Sequence, residues 1–156
     1  MFAGSGADVV NTGADVRPAK LSLIVYSGAF DKVHFALATA AAAVATNTPV
    51  TLFFTMDAIR CLTRAPDGTP GWQVAMGADG ETGAAVDAGF AANGVGGFEE
   101  LLSACAELGA TFMVCEMGLR AKDIERKSLR DDIAFVEGGL VTFLNDARAD
   151  GAMLFI

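Results

Sequence analysis

Two short apolar runs, at 21–26 (LSLIVY) and 49–55 (PVTLFFT), flank a longer stretch with helical spacing, and this arrangement constrains the fold more than any other feature. Each run is too short for a helix, is rich in Leu, Ile, Val and Phe, and ends at turn or polar residues. Both read as strands buried on two faces. Between them Phe30, Val33, Leu37, Ala41 and Val44 recur at helical spacing, Asp31 suits the positive first turn, and Pro49 stops the element, which predicts a helix over 30–47. A strand, helix and strand of these lengths favour parallel pairing through a right-handed crossover.

The rest of the chain extends this unit. From 98 to 108 the apolar Phe98, Leu101, Leu102, Cys105 and Leu108 take one helical face, with Glu99, Glu100, Ser103 and Glu107 on the other, and Gly109 ends the element. Residues 110–115 (ATFMVC) form a third strand, followed by the turn Glu116-Met117-Gly118 and a charged stretch in which Ser128 and Asp131 are spaced as a helix start. Val136, Leu140, Phe143, Leu144 and Ala147 form another apolar stripe, and 152–156 (AMLFI) is a final strand. Residues 1–20, rich in Gly, Ala and Asp, read as a flexible tail, and 21–156 as one α/β domain. Within it, 64–97 holds nine of the chain's 18 glycines, and its apolar residues (Trp72, Val74, Met76, Val86, Phe90) have no clear period. Such a stretch reads as an insert that covers a site, packs between subunits, or moves.

Composition narrows the function. At 156 residues the chain can bury one core. A net charge of -8 without a basic, aromatic-interleaved cluster excludes nucleic acid as an expected partner. No apolar run reaches the roughly 18 residues of a membrane span. No basic start followed by an apolar run marks a secretory signal, and three cysteines at irregular spacing indicate reduced thiols, so the expected compartment is the cytoplasm. A hydrophobic share of 53% is high, and it predicts a homo-oligomer that covers part of the apolar surface. One histidine, with no C-x-x-C and no H-E-x-x-H, gives no expected metal site. No phosphate-binding loop occurs, the glycines at 77, 80 and 83 do not fit a dinucleotide fingerprint, and Ser5 between Gly4 and Gly6 is not on a strand-to-helix elbow. No cofactor is expected.

In an open parallel sheet, sites form beyond the carboxyl ends of the strands. Here those ends deliver Ser27, Gly28, Asp31 and Lys32 from the first strand; Thr55, Asp57 and then Cys61 from the second; and Cys115, Glu116 and Met117 from the third. A thiol facing helix N-termini has its thiolate favoured, which makes Cys115 a candidate nucleophile or sulfur acceptor. Lys32, Arg60 and Arg120 are candidate cations, while Glu116 opposes the thiolate if it points the same way. The competing reading of Cys115 is a small hydrophobe closing a buried strand. Cys61 is a weaker candidate, Cys105 a core residue, and His34 a packed or interface histidine. Asp31, Lys32, Asp57 and Glu116 also have plain readings, as helix N-terminal acid, solvated cation, cap and solvent-facing acid.

The order of the segments LSLIVYSGAFDKVHFALATAAAA, PVTLFFTMDAIRCL, FEELLSACAELGATFMVCEMG and VEGGLVTFLNDARADGAMLFI resembles the DsrE/DsrF-like family of sulfur-relay proteins. The resemblance rests on Ser27-Gly28 with Asp31-Lys32, the FFT strand with Asp57 after it, the strand ending in Cys115, and Gly138-Gly139 before a Thr-Phe-Leu helix. It implies a three-layer flavodoxin-like α/β fold with a mainly parallel sheet of about five strands, and assembly into homotrimers or homohexamers. It further implies a persulfide on the cysteine that Cys115 matches, exchanged with sulfur donor and acceptor proteins or a small molecule. Three functions stay open: sulfur relay through Cys115, thiol redox chemistry pairing Cys115 with Cys61, and a non-catalytic oligomeric module that binds a small ligand.

Overall fold

The computed structural model describes residues 17–156, so 1–16 of the expected tail lie outside the described residues. The last part of that tail is anchored. The Ala19 N–H donates to the Asp150 carbonyl at 3.1 Å, and Lys20 Nζ meets the Asp146 carboxylate at 2.6 Å.

The elements run β1 (Leu21–Val25), α1 (Phe30–Ala45), β2 (Val50–Phe54), two 3-10 helices (Met56–Leu62 and Gly71–Val74), α2 (Gly83–Ala92), α3 (Phe98–Glu107), β3 (Thr111–Cys115), α4 (Glu116–Ala121), a 3-10 turn (Arg126–Ser128), β4 (Phe135–Gly138), α5 (Leu140–Asp146) and β5 (Ala152–Phe155). The five strands pair in parallel throughout, in the order β4-β3-β2-β1-β5, with helices on both faces. The fold is therefore the expected three-layer, flavodoxin-like α/β architecture.

Strand alternation sorts the apolar residues into two cores. Leu23 and Val25 of β1, Leu52 and Phe54 of β2, and Phe112 and Val114 of β3 face one side, where Phe30, Val33 and Leu37 of α1 and Phe98, Leu102 and Cys105 of α3 cover them. The alternate residues face the other side, where Phe53, Met113 and Cys115 pack with Phe143 of α5, and Ile24 joins them at the edge. Among the described residues no helix is long and apolar enough to cross a membrane.

Three local expectations change. Val136 belongs to β4 rather than to a helical stripe, because Phe135 turns toward the first core while Val136 lies outward, a period of two that Gly138-Gly139 then ends. The predicted helix start at Ser128 and Asp131 is only a 3-10 turn, since the backbone there bonds back to the segment after β2: the Arg64 N–H donates to the Ser128 carbonyl and the Arg130 N–H to the Leu62 carbonyl. The turn after Cys115 is the first turn of α4.

The glycine-rich stretch is docked rather than structureless. Trp72 is buried, stacks on Phe98 at 4.9 Å between ring centroids, and lies 5.7 Å from Phe30. Its indole N–H donates to Glu99 at 2.7 Å, and Glu99 is gripped by both terminal nitrogens of the buried Arg130 at 3.0 and 2.7 Å. Arg130 also holds Asp132 through two bonds of 2.7 Å, which pull that carboxyl down to about 2. Burial pushes Glu99 upward, but the bonds from Arg130 and Trp72 outweigh it and leave that carboxyl below its ordinary value. Thr82 caps α2 by accepting the Ala85 N–H at 3.3 Å.

Two glycines should respond to the same substitution with opposite sign. A Cβ on Gly118 would be 2.7 Å from the Met56 backbone nitrogen and 2.8 Å from Ile59 Cδ1, whereas one on Gly89, inside α2, meets nothing within 4 Å. Gly118→Ala should lower stability by about 1–3 kcal/mol through forced displacement. Gly89→Ala should raise it by roughly 0.5–1 kcal/mol through lost unfolded-state freedom. Denaturant midpoints of the two variants check the pair.

Candidate functional site

The carboxyl ends of β1, β2 and β3 form one crest, and glycines allow the approach. A Cβ on Gly28 would come within 2.7 Å of Asp57 Cβ, and one on Gly118 within 3.0 Å of Thr55 Oγ1 as well as against Met56. Ser27-Gly28, Thr55-Met56-Asp57 and Cys115–Gly118 therefore pack backbone to backbone. Met56, between the two contacts, holds φ at 49°, a left-handed conformation that costs a non-glycine residue about 1–3 kcal/mol.

Cys115 ends β3 and starts α4, as the sequence indicates, and its Sγ accepts the Gly118 N–H at 3.4 Å. It is also fully enclosed, at 0% exposure, among Phe53, Met113 and Phe143 on the second face of the sheet. Phe53 and Phe143 stack above that face at 4.7 Å. Cys61 is in the other core, within the 3-10 helix after β2, with its Sγ 4.0 Å from the Gly28 carbonyl. Burial pushes its thiol up to about 12. Cys105 is core, as expected: it donates to the Leu37 carbonyl at 3.4 Å, and burial pushes it up to about 11. All three thiols are free, and Cys61 and Cys115 belong to separate cores.

The charged candidates divide. Asp57 sits between Lys122 at 2.9 Å and Arg60 at 3.5 Å, and the Lys122 bond chiefly holds its carboxyl below the ordinary value. Arg60 donates as well to the Lys122 carbonyl at 2.9 Å. Arg60 is thus committed to Asp57, and Lys122, absent from the sequence-based candidates, completes the cluster. Only tertiary structure brings Lys122 there. Ser27 Oγ accepts the Ala29 N–H at 3.2 Å and serves its own turn, while Thr55 is buried. Glu116 and Met117 are exposed on α4. Glu116 and Arg120 line a shallow cleft of about 420 Å³ with Arg126 and Glu137. Asp31 and Lys32 line a different cleft near Ile156, and neither cleft includes Cys115. His34 is buried, with Nε2 2.8 Å from the Gly96 carbonyl oxygen.

A cavity of about 810 Å³ lies between the segment after β2 and residues 123–131, lined by Arg60, Arg64, Lys127, Pro70 and Leu129 among others. Its three cations are each ion-paired, to Asp57, Asp132 and Glu125. Among the described residues, no three His, Cys, Asp or Glu side chains gather as a metal-ligand set.

These features define an α/β protein with an all-parallel five-stranded sheet and a thiol at the end of its third strand. No known family and no curated protein matches the sequence. Solved structures do match the fold. A protein of unknown function, MTH1491 from Methanobacterium thermoautotrophicum, superposes with a TM-score of 0.56 at 11% identity, over 88% of this chain and 98% of that one. The ychN protein from E. coli superposes with a TM-score of 0.51 at 16% identity, over 88% and 99%. The chain thus shares a ychN-type fold.

Thiol reactivity should follow burial. At pH 8, thiols pushed up to about 12 and about 11 are ionised in no more than about one molecule in a thousand. Cys61 and Cys105 should stay unlabelled by iodoacetamide in the folded protein and label fully in denaturant, as read by peptide mass spectrometry. Rapid labelling of either in the native state would contradict this packing.

Proposed function

We propose that the protein is a sulfur-relay protein of the DsrE/DsrF-like type, which accepts sulfane sulfur on Cys115 as a persulfide and passes it on. The observation that carries this reading is the position of Cys115 at a strand end, with its sulfur receiving the Gly118 N–H at the start of α4. The ychN-type fold supports it. In the loading step the Cys115 thiolate attacks the outer sulfur of a donor persulfide. The donor's S–S bond breaks, a new one forms on Cys115, and the departing thiolate takes the proton that Cys115 gave up. An acceptor thiolate repeats the exchange, with no net oxidation. Access requires movement of α5, a seven-residue helix entered through Gly138-Gly139, whose Phe143 covers the sulfur.

The assembly belongs to the same reading. Val141 and Leu144 of α5 are 72% and 56% exposed, and Tyr26, Val136 and Phe155 are exposed as well, so the second face of the sheet carries an apolar surface on α5 and at its strand ends. A homotrimer or homohexamer built through this face would cover it, and would place Cys115 beneath the interface. The sulfur donor, the acceptor and a reducing, cytoplasmic setting complete the proposal.

A second reading has its own support. The complete enclosure of Cys115, together with clefts that do not include it, favours a ligand-binding module with an inert thiol.

Incubation with a polysulfide donor followed by mass spectrometry separates the two. The relay predicts one added sulfur on Cys115 in the wild type, Cys61→Ser and Cys105→Ser, and none in Cys115→Ser. No gain on Cys115, or a gain on Cys61 alone, ends the relay reading. For the assembly, sedimentation should show a trimer or hexamer in the wild type and a monomer in a Val141→Glu, Leu144→Glu double variant; a wild-type monomer at micromolar concentration overturns it.

A further inference from the structure

The packing around Cys115 has one movable wall. Its sulfur is fully buried, with the Gly118 N–H bonded to it and Phe53, Met113 and Phe143 around it. Phe53 is in β2 and Met113 in β3, and each of those strands is hydrogen-bonded to a neighbour on both sides. Phe143 comes from α5, which joins no strand ladder. Within that seven-residue helix only Phe143 is buried, while Val141 and Leu144 are exposed. A helix so short is not held by its own backbone bonds, so its place depends on this ring and on what ties its ends.

The tie is at the last residue. Asp146 Oδ2 accepts from Lys20 Nζ and from Thr51 Oγ1, each at 2.6 Å, and Lys20 Nζ donates also to the Asp146 carbonyl at 3.1 Å. Thr51 is buried in β2 and Lys20 directly precedes β1, so this end of α5 is fastened to the sheet. The other end enters at Gly139, which provides no side-chain cap and has nothing within 4 Å of the place a Cβ would take. The helix is thus a flap with one plug, one fastening and an uncrowded entry.

Persulfide formation adds a heavy atom to a side chain that has no open direction. A close-packed interior admits such an atom only by displacing a neighbour. Moving Phe53 or Met113 disturbs strand ladders on both sides, whereas moving Phe143 requires only that α5 swing away. We propose that α5 is a sulfur-responsive flap: Phe143 and the Asp146 fastening hold it shut over the free Cys115 thiol, and a second sulfur on Cys115 lifts it. Loading begins from the rare open state, and the added atom then shifts the population toward that state and presents the outer sulfur to an acceptor. Loss of the sulfur lets the flap close again. The biological role rests on the relay reading, but the mechanical coupling between side-chain length at Cys115 and the position of α5 does not.

The test is amide hydrogen exchange of the full chain, read by mass spectrometry, before and after reaction with methyl methanethiosulfonate. The Cys115 thiolate attacks the methylthio sulfur, methanesulfinate leaves, and the resulting S–S–CH3 group stands in for the persulfide. Exchange at residues 140–147 should be at least about tenfold faster in the modified chain, with β1, β2 and β3 unchanged. Lys20→Met should speed both that exchange and the modification of Cys115 by about tenfold, and Lys20→Arg should leave both near the wild-type value. Thr51→Val replaces Lys20→Met if that variant fails to fold. The comparison is repeated in the Val141→Glu, Leu144→Glu chain, where assembly no longer covers α5, and the same acceleration is expected. Unchanged exchange at 140–147 after modification, acceleration spread equally over the strands, or a Cys115 that stays unmodified in the folded Lys20→Met chain overturns the proposal. If the flap responds to the methylthio group while polysulfide adds no sulfur, the flap stands and the relay reading falls.

Discussion

A parallel sheet exposes hydrogen-bonded strands whose side chains are apolar on both faces, so each face must be covered. The rest of this structure depends on how unequally that is done. The first face carries α1, α3 and the docked segment with Trp72, and its core residues are almost fully buried. The second carries, among the described residues, only α5, which is pinned where Asp146 accepts from Thr51 Oγ1 and Lys20 Nζ, each at 2.6 Å. Burial pushes Asp146 upward, but those two partners outweigh it and hold its carboxyl below the ordinary value. One short helix with Phe143 beneath it leaves Tyr26, Phe155 and the outer side of α5 open to solvent.

That imbalance also decides the surroundings of each thiol. Val114 and Cys115 are neighbours in sequence, yet alternation sends Val114 into the thick core and Cys115 under the thin cover. A register shift of one residue would place the sulfur beneath α3, beyond reach of any partner. Instead it lies under a helix of only seven residues, next to glycine-tied loops whose backbone approach fixes the direction of the Gly118 N–H.

The parts that were legible in the sequence are those with a local period. LSLIVY, PVTLFFT and ATFMVC stand out because buried parallel strands are continuously apolar, and the α1 and α3 stripes because their apolar residues follow 3.6-residue spacing. β4 was not legible: it is four residues long, and Val136 fits a helical stripe with Leu140 as well as it fits a strand. The 64–97 segment hid its order because Trp72 finds Phe98, Glu99 and Arg130 only in three dimensions. At the crest, the sequence placed Ser27, Thr55, Asp57 and Cys115 at strand ends, but the pairing of Asp57 with Lys122 and the closure of α5 over Cys115 depend on contacts distant along the chain.

Trp72 is the chain's one tryptophan. Because its indole is buried against Phe98 and donates to Glu99, its emission is a built-in optical reporter of a single event, the seating of the glycine-rich segment on α3. Loosening of that segment would shift the emission to longer wavelength while the far-ultraviolet dichroism of the sheet and α1 stayed constant. The molecule thus carries its own means of separating a local opening from the loss of the whole fold.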